Sequence, residues 1–307
     1  MDSLLGWTGF FVFVCIMLVV DLGIFHRNTH AVTIKEALMW SIVWISLALG
    51  FNVLVYYNLG SEKALQFFTG YIIEKALSVD NLFVFIVVFG YFQVQLKYQH
   101  KILFWGVLGA LIMRAMFIIA GVALIHAFSW IMYVFGIFLV YTAIQMIFQK
   151  EESIEPEKNP LVRLFKRFFP VTDKRSEGSF FIRQSGRLVA TPLFIVLIVI
   201  EFTDLIFAAD SIPAILAITD DVFIVFTSNV FAILGLRSLY FALAGMMQYF
   251  SYLKYGLSLI LAFVGVKMIL ARYFEPVEII SIQASLMVIV GILIFSMLAS
   301  LAFKNKN

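Results

Sequence analysis

The chain has 307 residues, of which 63% are hydrophobic and only 13% charged, with a formal net charge of +3. A soluble domain has roughly half apolar residues and about a quarter charged ones, so this composition excludes an ordinary soluble fold. Long, nearly uncharged runs such as Leu4–Val20 and Ala284–Phe303 match the ~20 residues that a helix needs to cross a bilayer. The composition predicts an all-α, polytopic helical membrane protein that lies in lipid and has no nucleic-acid partner.

Apolar runs separated by polar interruptions predict about nine transmembrane helices. The amino terminus, MDSLLGWTG, lacks the basic segment of a cleaved signal peptide, so we expect the first apolar run to remain as a transmembrane helix. The spans are expected near Leu4–Phe25, Ala37–Leu59, Leu65–Phe92, Ile102–Ala123, Ser129–Phe148, Leu188–Ile218, Val222–Met247, Tyr252–Arg272 and Ile279–Phe303.

The distribution of lysine and arginine predicts the orientation of these spans. With the amino terminus outside, nearly all loop lysines and arginines fall on the inner side, and only Lys63 and Arg272 fall outside. Cytoplasmic loops carry an excess of such residues, so we expect the amino terminus out and the carboxyl terminus in.

The long inner loop contains NPLVRLFKRFF, in which Asn159 and Pro160 are typical of a helix start. This segment is either an amphipathic helix on the inner headgroups or a basic linker with a short docked helix. The later FFIRQSGRLVA suggests a small hairpin.

Charged and polar side chains interrupt the apolar runs of two central spans. The third span contains EKALSVDN and the sixth contains EFTDLIFAADSIPA. A charged group costs roughly 2.5–3.5 kcal/mol at the bilayer centre, so such residues are usually functional or paired. The acidic residues are Glu74 and Asp80 in the third span, Glu201, Asp204 and Asp210 in the sixth, and Asp21 near the inner end of the first. The expected counter-ions are the four cations within spans, Lys75, Arg114, Arg237 and Lys267. For any single carboxylate, a structural ion pair is the alternative to a functional role.

The two acidic segments are related by an internal repeat. The pattern Glu74-x5-Asp80-Asn81 corresponds to Asp204-x5-Asp210-Ser211, and matching segments with Arg114 and with Arg237 follow in the same order. The third to fifth spans therefore pair with the sixth to eighth as a three-plus-three inverted repeat, an arrangement typical of secondary transporters. The resulting units are two N-terminal helices (1–63), the first repeat (64–148), a basic cytoplasmic loop (149–187), the second repeat (188–272) and a C-terminal helix with its tail (273–307).

The polar side chains of the two segments form an oxygen-rich set. Helical spacing puts Glu74, Ser78 and Asn81 on one face, with Asp80 roughly 120° away. Either the two acidic groups of each helix face different neighbours, or the helix is distorted, for which Pro213 is a candidate cause. Oxygen ligands suit Mg²⁺, Ca²⁺ or Mn²⁺ better than Zn²⁺ or Cu⁺. The predicted metal ligands are Glu74, Asp80, Asn81, Asp204, Asp210 and Ser211.

The same motifs carry a resemblance to a known family. EKALSVDN, EFTDLIFAADSIPAI and the following TSNVFAILGLRSLYF, together with the opening LVVDLGIFHR, resemble those of the TerC/Alx family of bacterial membrane proteins. The resemblance implies a location in the bacterial inner membrane and a connection to manganese export and homeostasis, with older associations to tellurium resistance and redox modulation. It also implies that Glu74, Asp80 and Asn81, the acidic segment from Glu201 to Ser211, and Asp21 match the acidic positions of the family.

Three functions are compatible with these sequence features. The first is a Mn²⁺ exporter that works by alternating access and exchanges the ion for protons, with Glu201 or Asp21 as proton acceptor and Arg114 and Lys267 balancing the empty site. It has no prosthetic group and is not an enzyme. The second is a membrane redox or metal-loading modulator in contact with secretion machinery, without transport of its own. The third is an intramembrane diaspartyl enzyme built on Asp80 and Asp210, although neither lies in a GxGD sequence. A homo-oligomer is left open.

Overall fold

The computed structural model describes residues 4–25, 34–128, 130–148, 178–184, 187–244, 253–273 and 280–302. Helices dominate these residues, and the rest of the regular structure is one short hairpin. The helices are α1 (Leu4–Phe25), α2 (Ile34–Leu59), α3 (Ser61–Tyr91), α4 (Leu96–Ala127), α5 (Ile131–Phe148), α6 (Pro192–Leu216), α7 (Val222–Leu234), α8 (Leu236–Ala244), α9 (Leu253–Tyr273) and α10 (Ile282–Ala302). The strands are β1 (Phe181–Gln184) and β2 (Arg187–Ala190).

Seven segments of the described helices are long and apolar enough to cross a membrane. They lie in α2, α4, α5, α6, the combined α7 and α8, α9 and α10. Helix α1 contains a shorter apolar segment, Gly6–Val20, and α3 carries Glu74, Lys75 and Asp80 in its middle. The chain is thus a multi-pass helical membrane protein, whereas the predicted number of nine spans is not confirmed.

Most of the predicted spans differ from the observed helices at their ends; α4, for example, begins at Leu96 rather than at the predicted Ile102. Two of the differences have a clear local cause. The sixth was expected from Leu188, but that residue belongs to β2, and α6 begins only at Pro192, in the first turn where proline is favoured. The seventh was expected as one continuous helix from Val222. It is divided instead at Gly235 into α7 and α8. The Lys75 ammonium donates to the carbonyl of Ala232 at 3.1 Å and so binds one of the carbonyls freed where α7 ends.

The hairpin expected from FFIRQSGRLVA is confirmed. Strands β1 and β2 pair antiparallel, with Phe181 opposite Ala190. The hairpin is bound to the beginning of α4, because Lys101 Nζ donates to the carbonyl of Gly178 at 2.8 Å. It therefore marks one end of the helix bundle. The predicted amphipathic helix from Asn159 lies outside the described residues and stays a prediction.

The polar site depends on how four central helices pack. Helices α3 and α4 each pack against both α6 and α7. Helix α6 begins directly after the hairpin. A few residues beyond the other end of α6, Asp221 pairs with Lys63 at 2.6 Å, so the end of α6 lies close to the beginning of α3. Helix α3 therefore runs antiparallel to α6. Asp204 is in the middle of the 25 residues of α6, and Glu74 is near the middle of α3, so both acidic segments are central.

Apolar contacts hold the outer helices against this centre. The rings of Phe10 in α1, Phe51 in α2 and Phe231 in α7 pack together, with centroids 4.9 Å apart for Phe51 and Phe231. Helices α5 and α9 meet at two glycines. A side chain on Gly265 would lie 2.7 Å from the carbonyl oxygen of Gly136, so this close approach of the two backbones requires glycine.

Candidate cation-binding site

A charged cluster lies where α3, α4, α6 and α7 meet. At its centre Arg114 of α4, only 2% exposed, forms an ion pair with Glu74 of α3, which is 0% exposed. Arg114 also donates to Asp204 of α6, from Nη2 to Oδ1 at 3.3 Å and from Nε to Oδ2 at 3.4 Å. Its Nη1 reaches Ser211 Oγ at 3.2 Å. We call these residues, with Asn229 of α7, the buried cluster.

Asn229 completes the buried cluster from a helix whose sequence has no charged residue. Its Oδ1 accepts from Arg114 Nη1 at 2.9 Å, and its Nδ2 donates to Glu74 Oε2 at 3.2 Å. Asn229 was not among the site residues predicted from the sequence. The available signal was the polar run Thr227-Ser228-Asn229 within the otherwise apolar α7, all three buried. A buried polar group normally has a partner, so the run indicated a polar neighbour.

Within the buried cluster two carboxylates face one guanidinium, with Lys75 next to Glu74 and Arg237 near Asp204. Glu74 and Asp204 contribute two negative charges when ionised, and Arg114 contributes one positive charge. Removing one partner of a buried ion pair leaves an uncompensated charge and costs about 3–5 kcal/mol. The ion pairs of Arg114 with both carboxylates are therefore a strong structural constraint.

A cavity of about 460 Å³ adjoins the buried cluster on the side of α5. The carboxylate of Asp210 lies in its wall and accepts a hydrogen bond from Thr142 Oγ1 at 3.0 Å. Further polar lining comes from Asn81, Gln145, Thr203 and Ser211. We call this space the Asp210 cavity. It offers carboxylate, amide and hydroxyl oxygens, which are the ligands that hard divalent cations take.

Asn81 and Ser211 lie between the buried cluster and the Asp210 cavity. Each lines the Asp210 cavity. Asn81 Nδ2 also lies 3.5 Å from Asp204 Oδ1, and Ser211 Oγ accepts from Arg114. One layer of side chains thus separates the cavity from the buried carboxylates. The Oδ1 atom of Asn81 has no hydrogen-bond partner among the described residues, although the side chain is only 2% exposed.

Asp204 and Asp210, two of the three acidic residues of α6, have different neighbours, which is one of the two alternatives left open by the helical spacing. Asp204 faces Arg114 of α4, whereas Asp210 faces Thr142 of α5. Helix α6 is continuous through Pro213 to Leu216. The side chains of Asp21 and Asp80 are outside the part that the structure describes, so their predicted roles stay predictions.

Glu201 lies one turn before Asp204, against the backbone of α4. A side chain on Gly109 would overlap the Glu201 carboxylate, so this glycine provides the space that the carboxylate fills. The Oε2 atom of Glu201 has no hydrogen-bond partner among the described residues. Glu201 is therefore a carboxylate near the buried cluster but separate from the Asp210 cavity.

The predicted counter-ions have different surroundings. Arg114 pairs with two of the predicted carboxylates, as described above. Lys75 binds the carbonyl of Ala232, and Lys267 donates to Ser285 Oγ of α10 at 2.7 Å. Arg237, 3% exposed, lines a small cavity together with Asp204.

The described side chains do not contain a preformed metal centre of several strong ligands. No three His, Cys, Asp or Glu residues among them lie close enough together to hold an ion. Instead, the carboxylate of Asp210 lies in a cavity, and the neighbouring carboxylates of Glu74 and Asp204 are both paired with Arg114. Such polar groups inside a bundle of membrane helices are typical of membrane proteins that move ions or protons.

Fold and site define a polytopic helical membrane protein with a charged centre. Comparison with known proteins specifies the class. The model of the integral membrane protein TerC family matches residues 59–307, and the chain belongs to that family.

Several full-length relatives are similar along nearly the whole chain. An "Uncharacterized membrane protein STKORF319" of Myxococcus xanthus is 51% identical over 296 residues, 96% of this chain and 91% of the relative. The "Putative membrane-bound redox modulator Alx" of Escherichia coli K12 is 46% identical over 299 residues, 94% of this chain and 92% of the relative. A membrane protein of Rickettsia bellii is 38% identical over 98% of both chains. No solved structure matches.

Proposed function

We propose that this protein exports a divalent cation, most specifically Mn²⁺, across the bacterial inner membrane. The observation that carries the proposal is the Asp210 cavity, in which a carboxylate and neutral oxygen groups adjoin two further carboxylates inside the bundle. A lipid-embedded protein that needed only packing would not require these groups, because each charged side chain costs roughly 2.5–3.5 kcal/mol at the bilayer centre. Hard oxygen ligands favour Mn²⁺, Mg²⁺ or Ca²⁺, and the resemblance to the TerC/Alx family favours Mn²⁺ among them.

In this proposal the ion enters at Asp210 and reaches Glu74 and Asp204 past Asn81 and Ser211. The antiparallel directions of α3 and α6, with both acidic segments near the helix centres, support the proposed inverted repeat. Alternating access then exposes the central carboxylates first to the inside and afterwards to the outside. Glu201 is the proposed proton acceptor of the exchange, since it lies near Asp204 but outside the cavity.

Transport in sealed vesicles tests the proposal. The purified full-length protein is incorporated into vesicles that contain a Mn²⁺-sensitive dye, and Mn²⁺ movement is compared among wild type, Asp210→Asn and Asp220→Asn. Asp220 is 60% exposed at the side chain in the loop after α6, where it lies near His126, so the same substitution there serves as control. We expect wild type and Asp220→Asn to transport Mn²⁺ at similar rates and Asp210→Asn to be at least about tenfold slower, equivalent to about 1.4 kcal/mol. Equal rates for all three proteins would refute the role of the cavity.

The name of the Escherichia coli relative, a redox modulator, favours a second function, redox modulation. This chain has a single cysteine, Cys15, which is exposed on α1, and one cysteine cannot form an intrachain disulfide. A redox role would therefore act through a partner, or as a consequence of metal transport. Replacement of Cys15 by serine separates the two functions: we expect unchanged Mn²⁺ transport, and loss of transport would favour thiol chemistry.

A further inference from the structure

The guanidinium of Arg114 lies where oxygen atoms from three other helices converge. It contacts Glu74 of α3, Asp204 and Ser211 of α6, and Asn229 of α7. Apart from the ion pair with Glu74, the distances from its nitrogens to these oxygens are 2.9–3.4 Å. The side chain is fully enclosed, at 2% exposure.

The same oxygens are of the kind that a hard divalent cation uses. Mn²⁺, Mg²⁺ and Ca²⁺ bind carboxylate, carbonyl and hydroxyl oxygens at about 2.0–2.6 Å, and a guanidinium satisfies such oxygens by hydrogen bonds at greater length. One further oxygen is unused by Arg114. Asn81 Oδ1 lies in the side chain that contacts Asp204 and has no hydrogen-bond partner among the described residues.

Charge gives a reason why a cation and the guanidinium would exclude each other. Glu74 and Asp204 together carry two formal negative charges, which one divalent ion balances completely. If the ion were added with Arg114 still in place, the centre would carry a net positive charge in a low-dielectric environment, which is costly. If neither were present, the two carboxylates would lose the one cation that contacts both of them, and only Lys75 and Arg237 would remain nearby.

We propose that Arg114 is a tethered cation that competes with the transported ion for Glu74 and Asp204. This inference rests on the proposed function and specifies how the site behaves when it is empty. An ion that passes from the Asp210 cavity between Asn81 and Ser211 displaces the guanidinium, and the guanidinium returns when the ion leaves. Arg114 thereby lowers the affinity for the ion and keeps the empty carrier charge-compensated.

Binding measurements on Arg114 variants test the competition. Mn²⁺ is titrated into the purified full-length protein, and free Mn²⁺ is followed by its electron paramagnetic resonance signal. Arg114→Gln removes the competing charge, and we expect its affinity to rise about tenfold, the result if Arg114 occupies the site in about nine of ten empty molecules. Arg114→Lys keeps the charge but cannot bridge two carboxylates with a planar fork, so its affinity should lie between those of wild type and Arg114→Gln. Lys63→Gln removes a positive charge at the bundle end and should match wild type.

Free guanidinium ions provide a second measurement. At millimolar concentration they should compete with Mn²⁺ in an Arg114→Ala protein, which leaves a space of the right shape, and should leave Mn²⁺ binding by wild type unchanged. If Arg114 only stabilises the fold, both Arg114→Lys and Arg114→Gln will bind Mn²⁺ with equal or lower affinity than wild type, and guanidinium will have no effect. Either result overturns the inference. A wild-type protein that neither binds nor transports Mn²⁺ would instead refute the proposed function itself.

Discussion

Replacement of Asn229 by leucine tests the buried cluster directly. Asn229 is 1% exposed, accepts a hydrogen bond from Arg114 at 2.9 Å and donates one to Glu74 at 3.2 Å. Hydrogen bonds to charged groups are worth about 1.5–3 kcal/mol each, and a buried group left without a partner costs a similar amount. The two bonds share one side chain and are not additive, so we expect Asn229→Leu to destabilise the protein by about 3 kcal/mol.

Thr227→Val on the same helix is the matched control. Thr227 is also completely buried, but its hydroxyl donates to the carbonyl of Phe223 at 2.7 Å, within its own helix. Valine has nearly the same shape and leaves that carbonyl with its helical partner, so the expected loss is below about 1 kcal/mol. Stability is measured as the SDS mole fraction at which the purified protein unfolds, followed by circular dichroism. Equal midpoints for the two variants would refute the bridging role of Asn229.

Two other predictions concern glycines. In Gly265→Ala the new methyl group would lie 2.7 Å from the carbonyl oxygen of Gly136, and we expect a loss of about 1–3 kcal/mol from overpacking in the same unfolding assay. Gly50→Ala, with nothing within 4 Å, should be neutral or slightly stabilising, and the same loss there would contradict the packing argument. In Gly109→Ala the methyl group displaces the carboxylate of Glu201, a flexible side chain. We expect nearly unchanged stability but an altered pH dependence of Mn²⁺ transport, like that of Glu201→Gln; an effect of Gly109→Ala without one of Glu201→Gln would exclude Glu201 as the cause.

Much of the fold follows from the hydropathy pattern, because a membrane helix must be apolar for about 20 residues. The first helix, Leu4–Phe25, begins and ends as predicted. The errors have local causes. Pro192 moves the beginning of α6 beyond the predicted Leu188, and the break at Gly235 divides a uniformly apolar run. Hydropathy does not reveal that a lysine from another helix, Lys75, contacts that break.

The site was predictable in its composition and less so in its arrangement. Glu74, Asp204 and Arg114 were selected because charge inside a span is costly, and the structure brings these three together. Asn229 and Thr142 were not predicted, because neutral polar residues in apolar helices are common and the partner of each belongs to a distant segment. Contacts between distant segments depend on helix packing, which spacing along one helix does not determine.

Helix α3 carries more charged residues than any other described helix. Helix α3 carries Glu74, Lys75 and Asp80, and it contacts α2, α6, α7 and α10. Its neighbour formed by α7 and α8 is 89% buried within its apolar window, so protein rather than lipid surrounds the buried cluster. The lipid-compatible helices α2, α5 and α10 bury less than a third of theirs. A polar centre is tolerated in a bilayer only where protein encloses it. The charged residues in the middle of α3 are therefore the sequence feature that most directly indicated the polar centre.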